Sequence, residues 1–200
     1  YIYLYRCFMK STIILCSGGA RSGKSEFAEQ LALSLTGRKT YVATGQAFDE
    51  EMKDRIKKHQ ERRGTEWDNF EIPLHLHENW KKISAVSDII LFDCLTMFTS
   101  NHLFAYGEVN HQEDANRIES IILDEIHLLL QDINNSENKT VIFVTNEIGL
   151  GIVPENKLAR YFRDISGRVN REVATAADKM YLTISGITIE LKSQEVHING

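Results

Sequence analysis

Eight consecutive residues, Gly18-Gly19-Ala20-Arg21-Ser22-Gly23-Lys24-Ser25, satisfy the pattern GxxxxGK[ST]. These residue types in this order are suited to holding phosphate. Glycines let the backbone curl until its N–H groups point at phosphate oxygens, and a helix starting at the lysine adds its positive end. Lys24 then reaches the β- and γ-phosphates, and the Ser25 hydroxyl is placed to ligate Mg2+. A chance glycine-rich turn could match the same letters, so context decides. Here a β-branched apolar run, Thr12-Ile-Ile-Leu-Cys16, precedes the loop, and Phe27, Ala28, Leu31, Ala32 and Leu35 follow it at helical spacing.

A triphosphate held in this way needs a carboxylate at the end of a neighbouring strand for the metal's shell. Asp93, closing the apolar run Ile89-Ile-Leu-Phe92, is the natural candidate. A carboxylate in that place also caps strands and turns, and spacing alone leaves the two readings level.

A third group of residues is less direct. Asp49 to Arg63 reads DEEMKDRIKKHQERR, with only Met52 and Ile56 apolar, and His59 and Arg63 continue their stripe. So thin a stripe suits an exposed helix on a rim. Around His59 stand Arg55, Lys57, Lys58, Arg62 and Arg63. Such cations disfavour the imidazolium, leaving a neutral ring that could act as a nucleophile, and they could bind a polyphosphate. On these residues alone a solvated amphipathic helix is the better reading. His75 and His77 alternate in an extended-looking Pro73-Leu-His-Leu-His77, without a Cys or carboxylate at ligand spacing, and read as surface residues of a strand edge. His102, His111, His127 and His197 join no constellation.

The elements that must position these residues alternate along the chain. Thr40–Thr44, Asp88–Asp93 and Thr140–Thr145 repeat the buried-strand pattern of Thr12–Cys16. The first helix is expected to stop at Gly37. Helical spacing recurs at Ile118, Ile121, Ile122, Ile126 and Leu129, and at Leu158, Phe162, Ile165, Val169, Val173 and Ala177. Asp132 to Lys139 reads as a polar surface loop, and Met180 to Leu191, turning at Gly186, as an antiparallel hairpin at a sheet edge. Near-continuous apolar strands separated by helices indicate an α/β fold, a mostly parallel sheet with helices on both faces.

Composition narrows the class. The 200 residues carry 23 Lys and Arg against 28 Asp and Glu, a net charge of −5, so there is no broad basic footprint for a nucleic acid. The 3 cysteines, Cys7, Cys16 and Cys94, form no CxxC pair, which argues against a disulfide framework and a zinc site. No apolar run approaches the roughly 20 residues of a membrane span. Residues 1–8 read as an upstream extension before Met9, residues 9–200 as one nucleotide-binding domain, and the compartment as cytoplasmic.

Further residues complete a recognisable set. Thr145-Asn-Glu-Ile-Gly-Leu-Gly-Ile-Val-Pro-Glu-Asn156 runs on to Arg160-Tyr-Phe-Arg-Asp-Ile-Ser-Gly-Arg-Val-Asn170 and to Ala177-Asp178. The first stretch ends a parallel strand where such sheets place ligands. The second is a helix expected to carry Arg160, Arg163, Asp164, Arg168 and Asn170 along one side. Add the phosphate loop, Ala43-Thr44, the pattern RIxxHxxxR (Arg55, Ile56, His59, Arg63) and Asp93-Cys-Leu-Thr96, and the chain resembles one family from about Thr12 to Ile189. This is the bifunctional adenosylcobinamide kinase / adenosylcobinamide-phosphate guanylyltransferase family of cobalamin biosynthesis.

The resemblance implies a P-loop fold of the RecA-like type, a homotrimer, and two reactions. Adenosylcobinamide is phosphorylated by ATP or GTP. GTP then transfers GMP to an enzyme histidine, and adenosylcobinamide phosphate takes it up to give adenosylcobinamide-GDP. The histidine falls on His59, which overturns the bland reading of its helix and makes the basic neighbours a cradle for GTP. By the same matching the nucleotide contacts fall on Gly18 to Ser25, Ala43, Thr44, Gly45, Gln60, Glu61, Arg62, Arg63, Glu71 and Asp93, with Mg2+ at Ser25 and Asp93. Gly45 stands where a small hydroxyl residue is common, Asp93 where glutamate also occurs, and Gln60-Glu61-Arg62 departs from the family's loop. A P-loop kinase for another small alcohol, or a nucleotide-driven switch, shares the phosphate loop but needs no nucleophile beside the α-phosphate.

Overall fold

The computed structural model describes residues 10–45 and 66–197. Seven strands form one sheet in the order β3-β2-β4-β5-β1-β6-β7. They are β1 (Thr12–Gly18), β2 (Lys39–Ala43), β3 (Trp67–Glu71), β4 (Ile89–Asp93), β5 (Thr140–Asn146), β6 (Lys179–Ile184) and β7 (Ile187–Glu190). The first six run parallel, and β7 returns antiparallel along β6 as the expected hairpin. The described helices are α1 (Lys24–Ser34), α2 (Leu76–Val86), α3 (Leu95–Ala105), α4 (Gln112–Asn134) and α5 (Lys157–Ala176).

Period-two alternation divides the core between two faces. Ile13, Leu15, Val42, Ile90, Phe92, Val141 and Phe143 point to one face, under buried residues of α2, α3, α4 and α5. There Phe92 and Phe143 stack with ring centroids 5.0 Å apart. Ile14, Cys16, Tyr41, Leu91, Ile142 and Val144 point to the other, where Ala28 and Ala32 of α1 cover them. Strands buried on both sides are why the sequence runs are continuously apolar rather than alternating.

Several expectations change. The loop expected over 132–139 begins only at Asn135: α4 continues to Asn134 because Ile133, fully buried, extends the stripe Ile118, Ile122, Ile126, Leu129 by one more turn. Helix α1 ends at Ser34 with Leu35 as its cap, before Gly37. His75 and His77 do not lie on a strand edge. The strand ends at Glu71, His75 has left-handed backbone (φ 57°) just before α2, and His77 lies in that helix against Asp132, 2.9 Å away. Leu76 within Leu74-His-Leu-His77 and Trp80 beyond it are buried, a helical spacing rather than an alternating one. Helix α3 carries no amphipathic signature because it is mostly interior, with Thr96, Thr99, Asn101 and His102 buried alongside Leu95, Phe98 and Leu103. His102, assigned to no constellation, is buried on that helix, 2.8 Å from Glu125 of α4 and 2.9 Å from the Phe98 carbonyl.

At the amino edge of the sheet Asp88 ties β2 to β4. It accepts hydrogen bonds from the Arg38 backbone N–H (2.9 Å) and from Nε and Nη2 (3.0 and 3.1 Å). Those bonds hold its carboxyl down at about 2. No helix among the described residues is long and apolar enough to cross a membrane.

Candidate active site at the carboxyl edge

Parallel strands bring their carboxyl ends to one edge, where the chain must leave them in loops. The phosphate loop springs from the end of β1. Arg21 (φ 58°) and Gly23 (φ 97°) take left-handed backbone, the Ser22 N–H donates to the Gly19 carbonyl at 3.3 Å, and α1 begins at Lys24. The loop is therefore closed by its own backbone before any ligand arrives. Lys24 is 8% exposed and its ammonium reaches back to the Gly19 carbonyl at 3.2 Å, across the loop.

The hairpin forms one wall of this loop. The Gly186 N–H donates to the Ser22 carbonyl at 2.8 Å. A Cβ on Gly18 would lie 2.4 Å from the Thr183 carbonyl oxygen of β6 and 2.6 Å from Ser22 Oγ, so only glycine fits there. On the other side, the Glu147 N–H donates to the Gly18 carbonyl at 3.1 Å.

Register places the other candidates along the same edge. Ala43 pairs with both Asp93 and Glu71, and Gly18 pairs with Asn146. The Tyr41 hydroxyl donates to Asp93 Oδ2 at 3.0 Å, fixing the carboxyl. Asp93 and Lys24 both bear on Cys94: burial first, then the Asp93 charge, raises its thiol to about 11, while Lys24 pulls it down. The Cys16 thiol rises to about 12 by burial and then by Asp93. Both cysteines thus stay protonated and act as packing groups, not nucleophiles.

Thr44 is fully buried and its polar groups are engaged within the protein. Its hydroxyl donates to the Cys94 carbonyl and accepts from the Cys94 N–H, both at 2.7 Å, and its carbonyl accepts from Asn101 Nδ2 at 2.7 Å. It locks the end of β2 to the start of α3. Ala43 and Gly45 are half-buried beside it. Glu71 is exposed on the outermost strand, four strand spacings from β1, roughly 19 Å. A ligand touching both Glu71 and the phosphate loop must lie along the edge. His59, Gln60, Glu61, Arg62 and Arg63 lie outside the described residues.

Sequence reasoning placed Thr145-Asn146-Glu147 at this edge without a role, and set Asn170 among the polar residues of its helix. The structure turns Asn170 inward. The Thr145 hydroxyl donates to Asn170 Oδ1 at 2.6 Å, and Asn170 Nδ2 donates to the Asn146 carbonyl at 3.1 Å. The Asn146 N–H donates to Thr96 Oγ1 at 2.8 Å. Of the remaining polar residues of α5, Arg168 pairs with Glu119 and Arg163 with the neighbouring Asp164. The signal in the sequence was Asn170 itself, a polar residue one position after Val169 of the buried stripe.

Among the described residues no group of three His, Cys, Asp or Glu side chains could hold a metal ion. Ser25 and Asp93 still offer hydroxyl and carboxylate oxygens, the hard donors that suit Mg2+ when phosphate oxygens and water complete its shell.

Known proteins resemble the chain along most of its length. Residues 14–191 match the family model for cobinamide kinase / cobinamide phosphate guanyltransferase. The bifunctional adenosylcobalamin biosynthesis protein CobU of Salmonella typhimurium is 44% identical over 182 residues, covering 90% of this chain and 99% of the relative. That of Escherichia coli is 41% identical with the same coverage. The CobP protein of Pseudomonas aeruginosa is 34% identical over 90% of this chain and 97% of its own. The RadB recombinase structure overlays 88% of this chain and 75% of its own, at TM-score 0.47 and 15% identity, too distant to add to the assignment. A strand-loop-helix turn over the GxxxxGK[ST] residues, an acidic strand end at the same edge and near-complete coverage by relatives lead to one conclusion: the chain belongs to the cobinamide kinase / cobinamide phosphate guanyltransferase family.

Proposed function

We propose that this chain catalyses both reactions of its family at the carboxyl edge, with GTP or ATP in the phosphate loop. In the first, the hydroxyl of adenosylcobinamide attacks the γ-phosphorus as the bond to the β-phosphate oxygen breaks. In the second, His59 is the nucleophile. A ring nitrogen forms a bond to the α-phosphorus of GTP as pyrophosphate leaves, and the ring carries the positive charge. A phosphate oxygen of adenosylcobinamide phosphate then displaces the imidazole, giving adenosylcobinamide-GDP and neutral His59.

The observation that carries this reading is the closed loop of Gly18 to Ser25 with Lys24 laid across it, beside an oriented Asp93. Backbone N–H groups and Lys24 bind the phosphates, and Ser25 and Asp93 would hold Mg2+, which would supply charge neutralisation to the phosphates. Ala43, Gly45 and Glu71 line the edge toward the nucleoside, and Thr44 keeps that lining in place. Gln60, Glu61, Arg62 and Arg63 surround the histidine in sequence, and the basic ones offset charge on departing pyrophosphate. Assembly as a homotrimer is part of the proposal, and light scattering that returns the mass of a single chain would remove it.

Incubation with α-labelled GTP and Mg2+ tests the central step. Label that is acid-labile and alkali-stable is expected on the protein, and His59→Asn is expected to eliminate both this label and adenosylcobinamide-GDP. GTP should still bind to that variant at the phosphate loop. A His59→Asn protein that still acquires GMP would overturn the assignment of the nucleophile.

A further inference from the structure

We propose that Asn146 is a catalytic residue of the phosphoryl-transfer step, its side-chain N–H donating to the γ-phosphate. The inference rests on the kinase reading above and concerns a residue to which that reading gives no part.

Position is the first argument. In the order β4-β5-β1, Asn146 ends the strand between Asp93 and the phosphate loop. Alternation sends Ile142, Val144 and Asn146 to the face that α1 covers, the face shared by Leu91 and Asp93 on β4 and by Ile14 and Cys16 on β1. Asn146 pairs in register with Gly18, the first residue of the loop. A group there faces the end of the triphosphate that Lys24 also reaches.

The second argument is how its bonds are distributed. Both peptide groups of Asn146 are held: its N–H by Thr96 Oγ1, its carbonyl by Asn170 Nδ2. The following peptide is tied to Gly18. Three elements, α3, α5 and β1, thus converge to fix one residue's backbone. Yet its carboxamide oxygen is buried with no hydrogen-bond partner. With that oxygen turned inward, the Nδ2 end is the one that looks outward. Rigid support beneath an unengaged polar side chain is costly to stability and is found where the side chain has a ligand to meet.

The third argument is chemical. Negative charge spreads over the γ-phosphoryl oxygens as the corrinoid hydroxyl attacks, its proton passing to water. A fixed neutral donor stabilises that charge without reorganising, an effect of about 10²–10³ in turnover for one such donor. Guanylyl transfer takes place at the α-phosphorus and does not need it.

The test is a comparison of both half-reactions in Asn146→Ala and Asn146→Leu. The leucine is close in size and uncharged, so it keeps the fold if the alanine does not, and it removes the donor without setting a negative charge against the phosphates. Kinase turnover is expected to fall about a hundredfold, with the nucleotide Kd changed less than about threefold and GMP labelling of the protein retained. Turnover within about threefold of the parent overturns the proposal. So does parallel loss of turnover, binding and labelling together with thermal stability, because that is the mark of a structural residue. If the parent chain itself phosphorylates no cobinamide, the kinase reading fails instead, and the two failures are distinct.

Discussion

Lys24 and Asp93 are fixed by different means, and their substitutions should differ accordingly. Lys24 opens α1 and lies across the loop against the Gly19 carbonyl. Lys24→Ala leaves the backbone cradle but removes the cation, and is expected to abolish nucleotide binding and both activities, measured by calorimetry and by the two assays. Kinase turnover within about tenfold of the parent, ~1.4 kcal/mol in the barrier, is incompatible with its role. Asp93 is held by Tyr41, so Asp93→Asn keeps shape and loses charge. The activity–Mg2+ curve should shift to higher metal concentration at unchanged thermal stability; an unshifted curve assigns the metal to another carboxylate. The turn from β1 into α1 was legible in the sequence because its eight residues are contiguous and lie between an apolar run and a helical stripe. Asn146 was not, since its support comes from Thr96 and Asn170, on elements that only folding brings together.

Strands buried on both faces and helices buried on one were legible, whereas α3, buried nearly all round, was not. The stripe on α5 marked its length closely, and Asn156 caps it by accepting the Ala159 N–H at 2.9 Å. Asn156→Ala should cost about 1 kcal/mol in urea unfolding, since one orphan N–H loses its partner. Around α2 the pattern misled, because two histidines at alternate positions imitate a strand while Leu76 and Trp80 carry the burial. Asp88 joins β2 to β4 at the edge away from the site, and it predicts a pH dependence. Its ordinary value near 3.8 is lowered to about 2, chiefly by the Arg38 hydrogen bonds. A lowered carboxyl stabilises the fold above pH ~4 and loses that contribution as pH falls through about 2. The pair is partly exposed, so the effect is screened and modest. The urea midpoint of the parent should therefore drop more between pH 5 and pH 2 than that of Asp88→Asn. Equal drops would show that the clamp contributes nothing.

Taken whole, the molecule is asymmetric about β1. The first strand of the chain lies between β5 and β6, which come more than a hundred residues later, and the turn at Gly186 closes on the carbonyl of Ser22. Gly18 must be glycine because of a carbonyl on β6, a requirement that neighbouring sequence does not express. That arrangement sets an order in time. A ribosome has already made the whole loop by Ser25, yet both strands that flank it, and the turn that clasps it, are still untranslated. The nascent chain therefore carries this loop without its walls until the strands from Thr140 to Glu190 have been made, and long-range pairing of this kind is slow. Arrested chains ending at Ala177 should fail to bind nucleotide, whereas chains extended past Glu190 should bind it. The loop gains its two walls only once the hairpin that closes the sheet has been made.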